Sequence, residues 1–172
     1  MYEPINEGAI VDLGNVIIAH WLTNTSPENF HTINYNAIPE VPNAMESLRI
    51  ICDKFSGNIT VAYNATNVAE QKIQAWLMTH SFFERTGISP DRVIRSTTGR
   101  DKTQYINQET LTNRGTTIVV DDRLEVLNFF VEKVKNLFLF HPQQSEVEEF
   151  NHTETLSHVI VVHDWINVIS SI

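Results

Sequence analysis

Short apolar runs alternate with amphipathic helical patterns along most of this chain. The runs are rich in Val, Ile and Phe, which is typical of strands that are buried on both faces of a sheet. They lie near residues 9–13, 59–63, 92–95, 117–120 and 136–140, with HVIVV (158–162) as a candidate edge strand. Strands separated by helices are joined by right-handed crossovers, and the sheet they form is parallel. The alternation therefore predicts a three-layer α/β domain with a mainly parallel sheet of five or six strands.

The helical segments carry apolar residues at spacings of three and four. Segment 42–55 has Pro42 before its first turn and Gly57 after its end, as helix boundaries favour. Further helices are expected at 68–80, 102–111 and 123–135, with a short one begun by Asp164. The lone cysteine, Cys52, lies on the apolar side of the first helix and is expected to be a core residue.

Length and composition narrow the class of protein. The chain has 172 residues and is 42% hydrophobic and 19% charged, which predicts one globular domain spanning 1–172. It has no apolar run of about 18 residues that would predict a membrane span, and no secretory signal pattern, so a cytoplasmic location is expected. The net charge of −9 disfavours nucleic acid as a partner but leaves a small phosphorylated ligand open.

Polar residues follow several of the predicted strands. Asp12 ends the first, Asn64 ends the second, and Asp121 and Asp122 end the fourth, while Lys102 lies beyond the third. In parallel sheets, ligands bind at the carboxyl ends of the strands, so these side chains are expected to converge at one edge. A buried acid such as Asp12 needs a metal, hydrogen bonds or a reaction to compensate it.

Four segments in this order resemble the motifs of the haloacid dehalogenase-like hydrolase superfamily. VDLGNV (11–16) is similar to the first motif, VAYNATN (61–67) to the second, GRDKTQ (99–104) to the third and IVVDDRLEV (118–126) to the fourth. The resemblance covers about residues 8–140 and implies a Rossmann-like, haloacid dehalogenase-like fold. It also implies a phosphatase that acts through an aspartyl-phosphate.

The resemblance assigns expected roles to individual residues. Asp12 matches the nucleophile, and Asp121 and Asp122 match the acids that bind Mg²⁺, which also takes an oxygen of Asp12 and the backbone carbonyl of Gly14. Lys102 matches the cation that neutralises the nucleophile and the phosphate.

The second motif is expected to bind phosphate. Asn64 and Ala65 fall where the family holds the phosphate group, and the Asn64 amide can donate as a hydroxyl would. Thr66 is an alternative donor.

Three positions depart from the usual family pattern: Gly14, Asn64, which stands where the family has Ser or Thr, and Glu125. Gly14 replaces a second Asp that serves as general acid and base, and loss of such a group costs about 10²- to 10⁴-fold. Glu125 lies where a further Asp or Asn often supports the metal, and it is either that support or a solvated helix acid. His20 is either a proton donor to the leaving group or an ordinary loop histidine.

Spacing between the motifs bears on substrate access. The gap before the second motif holds a loop and one helix, and the gap before the third holds a helix and a strand, so no cap domain is expected. The irregular segment 19–40 is the expected substrate contact. In the family that the chain resembles, an open rim goes with large substrates or with a neighbouring subunit as a lid, so the resemblance leaves a homo-oligomer open.

The expected function is that of a Mg²⁺-dependent phosphatase without a cap domain. One alternative is a catalytically weak or inactive domain that binds metal and a phosphorylated ligand or a protein partner. A second alternative is a nucleotide or polynucleotide end phosphatase.

Overall fold

A computed structural model of the chain describes residues 7–26, 29, 32–96, 115–150 and 157–172. Six strands form one parallel sheet in the order β3-β2-β1-β4-β5-β6. They are β1 (Gly8–Val11), β2 (Ile59–Asn64), β3 (Val93–Ser96), β4 (Thr116–Asp121), β5 (Asn136–Phe140) and β6 (Val159–Val162). The predicted fold class is confirmed, and HVIVV supplies the sixth strand at one edge of the sheet.

The described helices are α1 (Ala44–Lys54), α2 (Asn67–Thr79), α3 (Phe82–Thr86), α4 (Leu124–Phe130), α5 (Gln144–Phe150) and α6 (Trp165–Ser170). Short 3-10 helices occur at His20–Thr23, Tyr35–Ala37 and Pro90–Arg92. The helices predicted at 42–55 and 68–80 are confirmed as α1 and α2. The helix predicted at 102–111 lies outside the described residues. None of the described helices is long and apolar enough to span a membrane.

The helix predicted at 123–135 is shorter than expected, because α4 ends at Phe130. Val131 leaves the helical region with ψ at 135°, and Glu132 takes a left-handed φ of 68°. This turn brings Val134 into the core beside α4. The predicted helix was too long because Val134 continues the apolar spacing of α4, although the chain has already left the helix at Val131.

Apolar side chains leave the strands alternately toward two separate cores. In β1, Ala9 and Val11 face the core that contains α1, α2 and α6, while Ile10 faces the core formed with α4. In β5, Phe138 and Leu139 divide between the same two cores. A strand buried on both faces must be apolar throughout, which explains the unbroken apolar runs in the sequence.

The central strand β1 determines where the polar strand ends meet. It pairs in parallel with β2 on one side and with β4 on the other. The backbone N–H of Asp12 donates to the carbonyl of Val120 at 2.9 Å, so the pairing with β4 continues to the end of the strand. The residues that follow β1, β2 and β4 therefore lie at the same edge of the sheet.

Helix α6 ties the C-terminal segment to the loop that follows β1. Asp164 caps it by accepting a hydrogen bond from the Asn167 backbone N–H at 2.8 Å, as expected from the sequence. Trp165 is fully buried, and its Nε1–H donates to the carbonyl of Val16 at 2.7 Å. A buried carbonyl is costly to leave unpaired, so this bond helps to fix the loop.

Replacing Trp165 with Phe is expected to lower the free energy of unfolding by about 1–3 kcal/mol, because the Val16 carbonyl loses its donor. Urea denaturation measures the change. The control is Ile166→Ala on the same helix, where the side chain is mostly exposed and a much smaller effect is expected. Equal stability of Trp165→Phe and the unsubstituted protein would show that the bond contributes nothing.

Candidate functional site

Three carboxylates converge where β1 and β4 end. One oxygen from each of Asp12, Asp121 and Asp122 lies within 4.8 Å of the others. Asp12 is 7% exposed and Asp121 2% exposed, so two of the three acids are buried. The prediction that these three side chains lie together is confirmed by the geometry, while their roles stay predictions.

Hydrogen bonds compensate part of the charge in this cluster of acids. The Asn15 side-chain amide donates to Asp122 Oδ2 at 3.1 Å, and the Arg123 backbone N–H donates to Asp121 Oδ1 at 3.0 Å. Carboxylates this close repel one another when ionised, so a cation at the cluster is favourable. Hard oxygen ligands in this number are suitable for Mg²⁺, which binds proteins through one or two carboxylates and keeps several waters.

The loop after β1 turns sharply around Gly14 and Asn15. Asn15 adopts a left-handed φ of 59°, a conformation that asparagine tolerates better than most residues. Its side-chain oxygen accepts from the Trp21 backbone N–H at 3.1 Å, while its amide donates to Asp122. Asn15 thus links the 3-10 helix His20–Thr23 to the acids, a role that the sequence analysis missed.

His20 lies next to this loop and is paired with Tyr35. His20 Nε2 and the Tyr35 hydroxyl oxygen are 2.6 Å apart, and both residues belong to the segment 19–40. Burial lowers the pKa of His20 to about 4, although the charge of Asp12 opposes the shift. Burial also raises the pKa of Tyr35 above its ordinary value. Both side chains are therefore neutral at pH 7.

The ring of His20 occupies the space beside Gly14. A Cβ atom built on Gly14 would lie 3.1 Å from His20 Nδ1 and 3.2 Å from Cε1, closer than side chains normally approach. Any side chain at position 14 would therefore require the ring to move by a few tenths of an ångström.

The predicted phosphate-binding residues lie at the end of β2. Asn64 is exposed, and Arg95 Nε donates to the Ala65 carbonyl at 2.9 Å. Arg95 Nη2 also donates to Asn67 Oδ1 at 2.8 Å. Thr66 caps α2 by accepting a hydrogen bond from the Ala69 N–H at 3.2 Å. Arg95 on β3 thus holds the backbone just beyond the end of β2, a contact that the sequence analysis did not anticipate.

Two cavities that share several lining residues open above the acids. The smaller, of about 210 Å³, is lined by Asp12, Gly14, His20 and Asn64 among others. The larger, of about 790 Å³, extends past Trp21 to His141, whose ring stacks on Trp21 with the centroids 4.6 Å apart. The segment 19–40 was expected to contact substrate, and its residues Trp21 and Tyr35 do line this larger cavity.

Two further residues of the larger cavity were also missed by the sequence analysis. Arg123 borders both cavities, and Glu146 on α5 accepts a hydrogen bond from the Leu124 backbone N–H at 2.8 Å. Glu146 thus caps α4 from another helix. No local motif signals such a contact, because the two residues are far apart in sequence.

Two predicted site residues, Glu125 and Lys102, are not among the described residues of the acid cluster. Glu125 points outward: its side chain is 73% exposed and pairs with Arg123 at 3.0 Å, so it is a solvated helix acid. Lys102 lies outside the described residues.

Comparisons with known proteins give matches among solved structures but none among protein families or curated sequences. Among solved structures, the fold is similar to that of D,D-heptose 1,7-bisphosphate phosphatase from Burkholderia thailandensis, with a TM-score of 0.56 and 12% identity. That match covers 96% of this chain and 97% of the other.

A second similar structure is that of a Pnkp1/Rnl/Hen1 complex, with a TM-score of 0.51 and 13% identity. The match covers 77% of this chain and 44% of that chain. At these identities the likeness concerns the fold. The chain therefore has the haloacid dehalogenase-like fold, as the resemblance of its four motifs implies.

Proposed function

We propose that this chain is a Mg²⁺-dependent phosphatase that works through an aspartyl-phosphate on Asp12. The observation that carries the proposal is the convergence of Asp12 with Asp121 and Asp122 beneath a cavity that Asn64 also lines. The likeness of the fold to a bisphosphate phosphatase supports the same reaction class.

In the first step, a carboxylate oxygen of Asp12 attacks phosphorus, and the bond between phosphorus and the leaving oxygen breaks. The electron pair of that bond stays on the leaving oxygen, which takes its final proton from water. In the second step, water attacks phosphorus, gives up a proton to solvent and displaces the carboxylate. Inorganic phosphate leaves and Asp12 is restored as an ion.

The attack brings a carboxylate toward a phosphate dianion, and the surrounding residues must offset the repulsion. Bound Mg²⁺, held by Asp12 and Asp122 and by the Gly14 carbonyl, would supply positive charge to both groups. Asn15 orients Asp122 through its amide, and the Arg123 backbone N–H orients Asp121. Asn64, Ala65 and, from the third motif, Lys102 are the proposed phosphate contacts.

We further propose that the chain acts as one domain with an open rim. Between β1 and β2, the described residues form short 3-10 helices and α1, and between β2 and β3 they form α2, α3 and one 3-10 helix. An experimental structure with a folded cap domain over Asp12 would contradict this proposal.

A binding domain with little activity is a second candidate, and Gly14 is the observation that favours it. Position 14 carries no acid, and the ring of His20 takes the space where its side chain would begin. Such a domain would bind Mg²⁺ and a phosphorylated ligand at the same residues but would hydrolyse the ligand slowly or not at all. A phosphatase screen with Mg²⁺ across sugar phosphates, nucleotides and phosphopeptides separates the two candidates.

Replacing Asp12 with Asn is expected to reduce phosphatase kcat by about a thousandfold or more, because an amide is not a nucleophile toward phosphorus. Steady-state release of phosphate measures the loss, and acid quenching detects a phosphorylated chain only when Asp12 is intact. Activity of the unsubstituted protein equal to that of Asp12→Asn on every substrate would contradict the enzyme proposal and support the binding domain.

Mg²⁺ is expected to stabilise the folded chain by mass action, by about 2.7 kcal/mol at 100 times its dissociation constant. Asp122→Ala should abolish the Mg²⁺-dependent rise in melting temperature, since it removes one acid of the cluster. The matched control is Asp53→Ala, which removes an exposed acid paired with Arg49 on α1 and should leave that rise intact. A rise of equal size in Asp122→Ala would refute the metal assignment.

A further inference from the structure

We propose that Arg95 on β3 is a positioning residue for phosphate, which acts by holding the Ala65 carbonyl and the Asn67 side chain. The inference deepens the proposed function and rests on it, because Asn64 and Ala65 are the proposed phosphate contacts of the second motif. It applies to the phosphatase and to the binding domain alike, since both would bind a phosphate group at these residues.

Two N–H groups of the Arg95 guanidinium fasten the chain where it leaves the sheet. Nε donates to the Ala65 carbonyl at 2.9 Å, and Nη2 donates to Asn67 Oδ1 at 2.8 Å. Ala65 directly follows β2, and Asn67 is the first residue of α2. A guanidinium is planar and presents its donors in a rigid fork, so the two bonds together fix the start of α2 relative to the end of β2.

The bond to the Ala65 carbonyl also sets the direction of the peptide between Ala65 and Thr66. This peptide is trans, so its N–H, which belongs to Thr66, points opposite to the carbonyl and away from Arg95. Ala65 and Thr66 line the larger cavity above the acids, whereas Arg95 lines neither cavity. Arg95 therefore acts on a ligand through the loop, and it binds a carbonyl oxygen whose partial negative charge would repel phosphate.

Glu70 on α2 gives Arg95 a counter-charge. Glu70 Oε2 lies 3.8 Å from Arg95 Nε, and each of these side chains is 22% exposed. The positive end of the helix dipole lies at the start of α2, where a lone cation is unfavourable and an acid in the first turn is favourable. The pairing with Glu70 therefore stabilises Arg95 at this end of the helix.

Two further side chains hold Glu70 in place. The Tyr63 hydroxyl donates to Glu70 Oε2 at 2.8 Å, and Gln74 Nε2 donates to Glu70 Oε1 at 3.0 Å. Tyr63 is 3% exposed and is the residue of β2 that pairs with Arg95 in the sheet. The guanidinium thus belongs to a network that joins β2, β3 and α2 beside the proposed phosphate contacts.

Phosphate affinity is expected to depend on this network because the nearby charge opposes an anion. Asp12, Asp121 and Asp122 cluster at the same edge of the sheet and repel a phosphate group. The donors of the second motif must therefore be held where they meet the phosphate oxygens. A displacement of about 1 Å at a group that positions a ligand can cost about 10²-fold.

Binding of inorganic phosphate in the presence of Mg²⁺ measures this effect without turnover. In a titration followed by ³¹P NMR, Arg95→Ala should raise the dissociation constant of phosphate by about 10²-fold. Arg92→Ala is the matched control, because Arg92 lies just before β3, at the opposite edge of the sheet, where it donates to Asn58 Oδ1. The control should leave the dissociation constant unchanged. An unchanged constant in Arg95→Ala would overturn the inference.

A purely structural role would act through the amount of folded protein, and a variant of the other core separates the two effects. Val134→Ala shortens a buried side chain in the core beside α4 and should lower the melting temperature. Its folded molecules should bind phosphate as the unsubstituted protein does. Equal losses of affinity in Val134→Ala and Arg95→Ala would show that affinity follows stability, which contradicts the inference.

Arg95→Lys distinguishes geometry from charge. It keeps a positive charge beside Glu70, so it is expected to fold even if Arg95→Ala does not. An ammonium group is a single point charge and cannot replace the fork that reaches both Ala65 and Asn67, so only part of the affinity should return. Full affinity in Arg95→Lys would show that charge alone suffices and that the proposed role of the fork is wrong.

Asn67→Ala tests the same contact from its other side, at an exposed position. It should weaken phosphate binding in the unsubstituted background and weaken it much less in Arg95→Ala, because two partners of one contact are not independent. Equal losses in both backgrounds would show that Asn67 acts without Arg95, which also overturns the inference.

Phosphate binding by the unsubstituted protein distinguishes the two proposals. If such binding is absent, and if Asp12→Asn has the same activity as the unsubstituted protein on every substrate, the proposed function fails and this inference fails with it. If the unsubstituted protein binds phosphate and Arg95→Ala binds it equally well, the proposed function stands and the role of Arg95 is wrong.

Discussion

Mutual repulsion among three carboxylates is the constraint on which the site depends. Parallel pairing of β1 with β4 brings Asp12 beside Asp121 and Asp122, and two of these acids are shielded from water. The electrostatic free energy would be lower if the three acids were further apart, but the pairing of β1 with β4 fixes their positions. The surrounding polar contacts are arranged accordingly: Asn15 and the Arg123 backbone N–H each direct a donor at one acid.

A second requirement is that the described part of the loop between β1 and α1, which contains the short 3-10 helices His20–Thr23 and Tyr35–Ala37, be fixed in place. Indole N–H groups satisfy buried carbonyls on both sides of it: Trp165 binds the Val16 carbonyl, and Trp76 binds that of Ile38. A short antiparallel bridge between Ile18 and Glu40 joins the two ends of the segment. The described part of this cavity wall is thus anchored to helices on the same side of the sheet.

The sequence predicts the sheet well because most of its strands are apolar runs that a polar residue ends or follows. It predicts the acid cluster for the same reason: strand ends in a parallel sheet share one edge, so Asp12 and Asp122 had to meet. It does not predict the contacts that fix the site. The left-handed turn at Asn15, the cap that Glu146 gives to Leu124 and the pairing of His20 with Tyr35 depend on how loops pack. None of these contacts produces a period or a spacing in the sequence.

The order of the strands has a consequence for how the chain acquires its site. The hydrogen bond between Asn15 and Asp122 spans 107 residues of sequence, and β1 must wait for β4 before it is paired on both sides. Contacts of such high separation are slow to form, because the closure entropy of a long loop comes first. Asp12 therefore stays apart from Asp121 and Asp122, which are neighbours in sequence, until the middle of the sheet closes. A chain still emerging from the ribosome carries its first motif long before the three acids can meet.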